Sequence, residues 1–222
     1  MKLLKHVFNY FLTYDKTIVI FPGFGMHPSN YNDVLPSNVN KIYLNIWTKS
    51  ELDNIKIGLS NGTITPPGTE KYDNWFNTKV LECENKIITK LNKYKRNKQV
   101  IFFGHSIGSF ICSELKKYAQ GIVTYGFSKT IPKTTNTSVI QLLGTIDTYC
   151  AGMLNEWPNG HIPILNGDHF SCSDLDGKKR AVLWRNEFGI PGIHEYINTS
   201  KKKDTEIKSK IKNKIINFID SI

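Results

Sequence analysis

Arginine is scarce in this chain. Only Arg96, Arg180 and Arg185 are Arg, although Lys plus Arg totals 29 against 19 acidic residues and the formal charge is +10. Base-edge and phosphate-fork recognition leans on the guanidinium, so the basic balance does not make nucleic acid the expected partner. The lysines come with many Asn and Ile, residues with A- and T-rich codons, and coding bias accounts for the excess. Cysteine is also sparse. Cys83, Cys112, Cys150 and Cys172 show no C-x-x-C spacing, which excludes a sequence-evident zinc site or disulfide framework. Long apolar runs are missing. Thr17–Phe21 and Val100–Phe103 are far short of the ~20 residues needed to span a bilayer. No repeat of 20 to 50 residues points to a solenoid or propeller.

The N-terminal M-K-L-L-K-H-V-F-N-Y-F-L begins like a secretory signal. Lys5, His6 and Asn9 interrupt it, and no small-x-small cleavage site follows. The expectation is an amphipathic helix on an intracellular, cytoplasmic protein. A hydrophobic content of 40% over 222 residues supplies one ordinary core, and no linker divides the chain, so residues 1–222 are read as one domain.

Short β-branched runs alternate with helical stretches. Strands are expected at Thr17–Phe21, Lys41–Ile46, Gln99–Phe103, Gly121–Tyr125, Val139–Leu143 and Ile162–Leu165. Helices are expected at Lys79–Tyr94, with Val80, Ile87, Ile88 and Leu91 on one side, at Ile107–Tyr118 and at Asp204–Ile219. This alternation predicts an α/β fold with a mostly parallel sheet of about six strands and helices on both faces. Asn54–Gly68 reads as a long surface loop, and Ser171–Tyr196 is broken by Gly and Pro.

The most informative stretch is V-I-F-F-G-H-S-I-G-S-F, where an apolar strand runs through Gly104-His105-Ser106-Ile107-Gly108 into a helix. G-x-S-x-G in this setting puts a serine on a sharp turn above the sheet. The small residues two places on either side let the backbone pass close by. The helix start favours developing negative charge.

With that motif, and with Pro22-Gly23-Phe24-Gly25 after the first strand, the chain resembles the α/β-hydrolase superfamily, and in particular its small lidless serine esterases. The likeness covers most of the chain from Thr17 onward, by order of elements more than by identity. It implies Ser106 as nucleophile and backbone N–H groups of Phe24 and Ile107 as the oxyanion hole. Many lipases have His-Gly where this chain has Pro22-Gly23. The family's third member, an acid soon after a strand, matches Asp147 in V-I-Q-L-L-G-T-I-D. The base matches His169 in N-G-D-H-F, which keeps the order Ser, Asp, His.

His194 is the rival base. His6 and His27 precede the nucleophile, and Asp174 and Asp176 follow the base, so these break the order. His105 should point away from the reacting centre, His161 should be structural, and Asp168 should be a solvated turn former. The resemblance implies carboxylic ester hydrolysis, with thioester, amide or peptide cleavage, or a non-catalytic binding role, as alternatives. No metal or organic cofactor is implied.

The expected partner is a small acyl-ester substrate. Only Gly126–Ser138 separates two strands where a lid is commonly inserted, which predicts an open site. Trp75, Phe76, Tyr149, Met153, Leu154 and Trp157 either line an acyl pocket or belong to the core. The C-terminal stretch sets Ile207, Ile211, Ile215, Phe218 and Ile222 on one face and lysines on the other. Its ordinary reading is a helix packed on the sheet; the alternative is a contact with an anionic membrane surface.

Overall fold

The computed structural model of the chain describes residues 15–23, 25–48, 50–51, 70–93, 99–147, 157–174 and 201–222. Six strands form one sheet: β1 (Lys16–Phe21), β2 (Asn40–Tyr43), β3 (Gln99–His105), β4 (Gly121–Tyr125), β5 (Ser138–Gly144) and β6 (His161–Ile164). Their spatial order is β2-β1-β3-β4-β5-β6, and every neighbouring pair is parallel. The order reverses once, at β1, so β1 and β3 lie side by side although 77 residues separate Phe21 and Gln99 (from 22 to 98). In open parallel sheets, sites form outside the carboxyl ends of the strands near such a switch.

Both faces of the sheet are covered. Helix α3 (Lys201–Asp220) sets Ile207, Ile211, Ile215 and Ile219 against Ile18, Ile20, Ile101, Phe103 and Val123. Helices α1 (Glu70–Lys93) and α2 (Ile107–Glu114) bring Cys83, Ile87, Ile111 and Cys112 against Val19, Phe21, Phe102 and Ile122. Consecutive strand residues alternate between the two clusters, as the two-residue period of a strand requires. The near-continuous apolar runs in β1 and β3 follow from burial on both sides.

Several boundaries differ from expectation. Helix α1 begins at Glu70, nine residues before Lys79, and so carries Trp75 and Phe76. Its buried face includes Cys83, whereas Ile88 is 38% exposed. Ile87 holds the inner position, and one residue further is a 100° turn away from it. The second helix is shorter than Ile107–Tyr118: α2 ends at Glu114, and a separate 3₁₀ turn spans Lys116–Tyr118. β2 stops at Tyr43, although Leu44 N still donates to Ile20 O at 3.4 Å. The isoleucine face of α3 lies against the sheet. That leaves only its lysine side for contact with an anionic surface. Among the described residues no helix is long and apolar enough to cross a membrane.

The expected N-terminal helix, the whole of the Asn54–Gly68 segment, Ser171–Tyr196 beyond residue 174, and Tyr149, Cys150, Met153 and Leu154 lie outside the described residues.

Candidate active site

β3 runs into α2 through Ser106, whose backbone sits at φ 52°, ψ −124°. A residue with a Cβ pays ~1–3 kcal/mol to hold such a conformation, so neighbours must enforce it. They do so from two sides. Ser106 N donates to Tyr125 O at 3.0 Å, which prolongs the β3–β4 ladder through the turn, and Ser109 N donates to Ser106 O at 2.9 Å. The flanking glycines are required by contact. A Cβ on Gly108 would lie 2.2 Å from Phe21 O, and one on Gly104 would lie 2.7 Å from Ser109 Cα. The helix therefore starts hard against the end of β1, and only glycine fits there. Serine at a helix N-cap usually turns its oxygen onto the first N–H groups. Ser106 makes no such cap bond, so its hydroxyl is not committed to the helix.

Asp147 and His169 lie past the ends of β5 and β6. Asp147 Oδ2 accepts from His169 Nδ1 at 2.9 Å, and both side chains are buried. A carboxylate that accepts at Nδ1 fixes the proton on that nitrogen and leaves Nε2 as the basic atom.

The two loops are stitched together. Ile146 N donates to Gly167 O at 3.0 Å, Thr145 N to Ile164 O at 3.0 Å, and Asn166 N to Thr145 Oγ1 at 2.8 Å. Gly144 permits the approach, because a Cβ there would meet Gly167 O at 2.1 Å. Gly126, next to the residue that accepts from Ser106 N, closes the circuit. A Cβ on it would lie 2.9 Å from His169 Nδ1 and 3.4 Å from Asp147 Oδ2. The serine turn and the Asp–His pair thus lie together at the carboxyl ends of the strands.

Two sequence expectations need correction. Asp168 is not solvated. It is 1% exposed, and its Oδ1 accepts from Phe170 N at 2.8 Å and from Ser171 Oγ at 3.1 Å. It does hold a turn, but a buried one. His105 does not simply point away from the site. The strand alternation puts it on the same face as Ile101 and Phe103. There its ring centroid lies 4.9 Å from that of His169 and its Nε2 lies 2.7 Å from His169 O. Burial, and then the neighbouring His169, push its pKa down to about 3, so it is neutral.

His161 begins β6 and sets Nε2 2.8 Å from Phe127 O, a structural contact. His27 caps the 3₁₀ turn at Pro28–Tyr31, and Asp174 Oδ1 accepts from Asn30 Nδ2 at 2.9 Å. Phe24, His6, Asp176 and His194 lie outside the described residues. Ile107 opens α2, where the first N–H groups have no partner within the helix.

Trp75 stacks on Trp47 with centroids 6.0 Å apart, and Trp47 Nε1 donates to Gly23 O at 2.9 Å. Phe76, Phe110 and Phe127 form an edge-to-face row from α1 across α2 to the end of β4. Trp157 is 40% exposed. Among the described residues no cluster of three or more His, Cys, Asp or Glu side chains is placed to hold a metal ion. No protein-family model and no curated protein matches the chain.

Proposed function

We propose that this protein is a serine hydrolase of the α/β-hydrolase type that cleaves carboxylic esters. The observation that carries the reading is the buried His169–Asp147 pair packed beside the turn that holds Ser106 at positive φ. The strand order and the once-reversed parallel sheet support it, as does the place of all three residues after strand ends.

In this reading His169 Nε2 takes the Ser106 proton as Oγ attacks the acyl carbon. Asp147 keeps the imidazole in the Nδ1–H tautomer and stabilises the imidazolium. Backbone N–H groups of Ile107 and Phe24 stabilise the oxyanion, each worth ~3 kcal/mol in the transition state. His169 then protonates the leaving alcohol, and water, activated by the same base, releases the acid from Ser106.

The test is labelling with a fluorophosphonate probe, with Ser106→Ala as control. Wild-type labelling that disappears in the variant, together with turnover of a short p-nitrophenyl ester, supports the assignment. Equal turnover by Ser106→Ala would sink it. His169→Ala and His194→Ala assayed side by side decide the identity of the base.

A further inference from the structure

Three successive carbonyls of the loop that bears His169 are each held by a different strand. Gly167 O accepts from Ile146 N beyond β5 at 3.0 Å, Asp168 O from Tyr125 OH at the end of β4 at 2.8 Å, and His169 O from His105 Nε2 at the end of β3 at 2.7 Å. The third contact continues further. Because His105 Nε2 must donate to a carbonyl, a neutral ring has Nδ1 free to accept, and Tyr31 OH lies 2.9 Å from it. Tyr31 oxygen in turn accepts from Gly23 N at 2.9 Å. The result is one directional chain: Gly23 N–H to Tyr31 O–H to His105 Nδ1, then His105 Nε2–H to His169 O. All three hydrogen bonds are buried. The polarity is consistent at every step, which requires the single Nε2–H tautomer. Gly23 is tied to this arrangement by shape, since a Cβ there would lie 2.4 Å from His105 Nδ1.

We propose that Tyr31 and His105 form a strut that sets the glycine turn after β1 and the backbone of His169 at a fixed separation, so that they act as positioning residues for the reaction at Ser106. Neither is assigned a contact with substrate. The inference rests on the hydrolase reading for its effect on rate and on the hydrogen-bond chain for its effect on geometry. One element of the strut ends on the turn proposed to stabilise the oxyanion; the other ends on the proposed base. Misplacing such groups by about 1 Å costs on the order of a hundredfold in rate.

The experiment compares His105→Leu, His105→Gln and Tyr31→Phe in the full chain. Folding is checked by thermal melting, and kcat and KM are measured on a short p-nitrophenyl ester. His105→Leu removes both hydrogen bonds and should lower kcat about 10–100-fold with KM within about threefold. His105→Gln keeps a side-chain N–H for the His169 carbonyl and should recover most of that loss. Tyr31→Phe keeps the ring in the core and cuts the chain at its middle, giving an intermediate loss.

A second readout does not depend on turnover: the NMR signal of the His169 Nδ1 proton shared with Asp147. It should be sharp in the wild type and in His105→Gln, and broadened by exchange in His105→Leu. Wild-type kcat and an unchanged Nδ1 signal in folded His105→Leu overturn the strut. If His105→Leu does not fold, Tyr31→Phe decides by the same two measurements. If the wild type neither labels at Ser106 nor hydrolyses esters, the hydrolase reading falls. The proton signal alone then judges the strut, with broadening supporting it and persistence overturning it.

Discussion

On the α3 side of the central strands, the buried polar atoms are chained to one another: Tyr31, His105 and Tyr125 all end on loop backbone. On the α1–α2 side, the buried hydroxyls of Thr17, Ser109 and Thr124 have no partner among the described residues. Around them sit Phe21, Phe102, Ile111 and Cys112. Around β1, β3 and β4 the sheet thus has one face where polar groups carry geometry and one that, away from the bonded Gln141 and His161 of β5 and β6, relies on packing. A satisfied buried network specifies one arrangement, while an isolated buried hydroxyl contributes nothing to stability and costs desolvation. The difference predicts that substitutions on the two faces will separate rate from stability.

The largest effect is expected where the bonded face reaches the base. Asp147→Asn should lower ester turnover about 10⁴-fold while the protein remains folded, because the amide stabilises the wrong imidazole tautomer. A loss below tenfold would remove Asp147 from the chemistry. Phe102→Ala tests the other face. It opens a cavity where the ring meets Phe21 edge-on at 4.9 Å and should cost ~3–5 kcal/mol in urea unfolding. The Ser106 labelling rate of the folded protein should not change. A rate that fell with stability would show that the two faces are not independent.

A third effect is smaller per step and depends on pH. His105 has its pKa lowered from 6.5 to about 3 in the folded protein. The unfolded chain therefore binds a proton that the native one refuses. Its contribution is fully present above about pH 6.5 and is lost as pH falls from there toward 3, at up to about 1.4 kcal/mol per pH unit. His105→Gln should flatten this part of the stability–pH curve. An identical slope in both proteins would mean that His105 ionises in the native state. The smallest effect is expected for Thr124→Val, which replaces an unpartnered hydroxyl with a methyl of like shape. Stability should change by about 1 kcal/mol or less, in the favourable direction. A clear loss would reveal a partner for that hydroxyl.

What could be read from the sequence divides along the same line. All six strands are legible: burial on both faces writes β1, β3, β4 and β5 as apolar, largely β-branched or aromatic runs, and the partly exposed β2 and β6 keep a short Ile-centred stretch. The serine turn is legible because glycine at 104 and 108 is imposed by backbone contacts only a few ångströms long. The start of α1 is not, because Glu70–Thr78 carries Trp and Phe but no aliphatic stripe. The setting of His105 is not legible either. Its two partners lie 74 positions before it and 64 after it, and no local pattern marks such distant hydrogen bonds. Asp168 looks like an ordinary Asn-Gly-Asp turn residue. Its burial depends on Tyr125 reaching over from another strand to the same peptide.

The placement of α3 also has a consequence in time. β1, β3 and β4 carry Ile18, Ile20, Ile101, Phe103 and Val123 on the face that α3 covers, and all of these are translated long before Ile207. At roughly 5–20 residues per second, the ~200 residues between Ile18 and Ile219 take about 10–40 s to synthesise. For most of that interval the nascent sheet shows an uncovered apolar surface and waits for a contact between distant parts of the chain, the kind that slows folding most. The helix that seals the core is the last described element to leave the ribosome, so the apolar face it covers is closed only at the end of that interval.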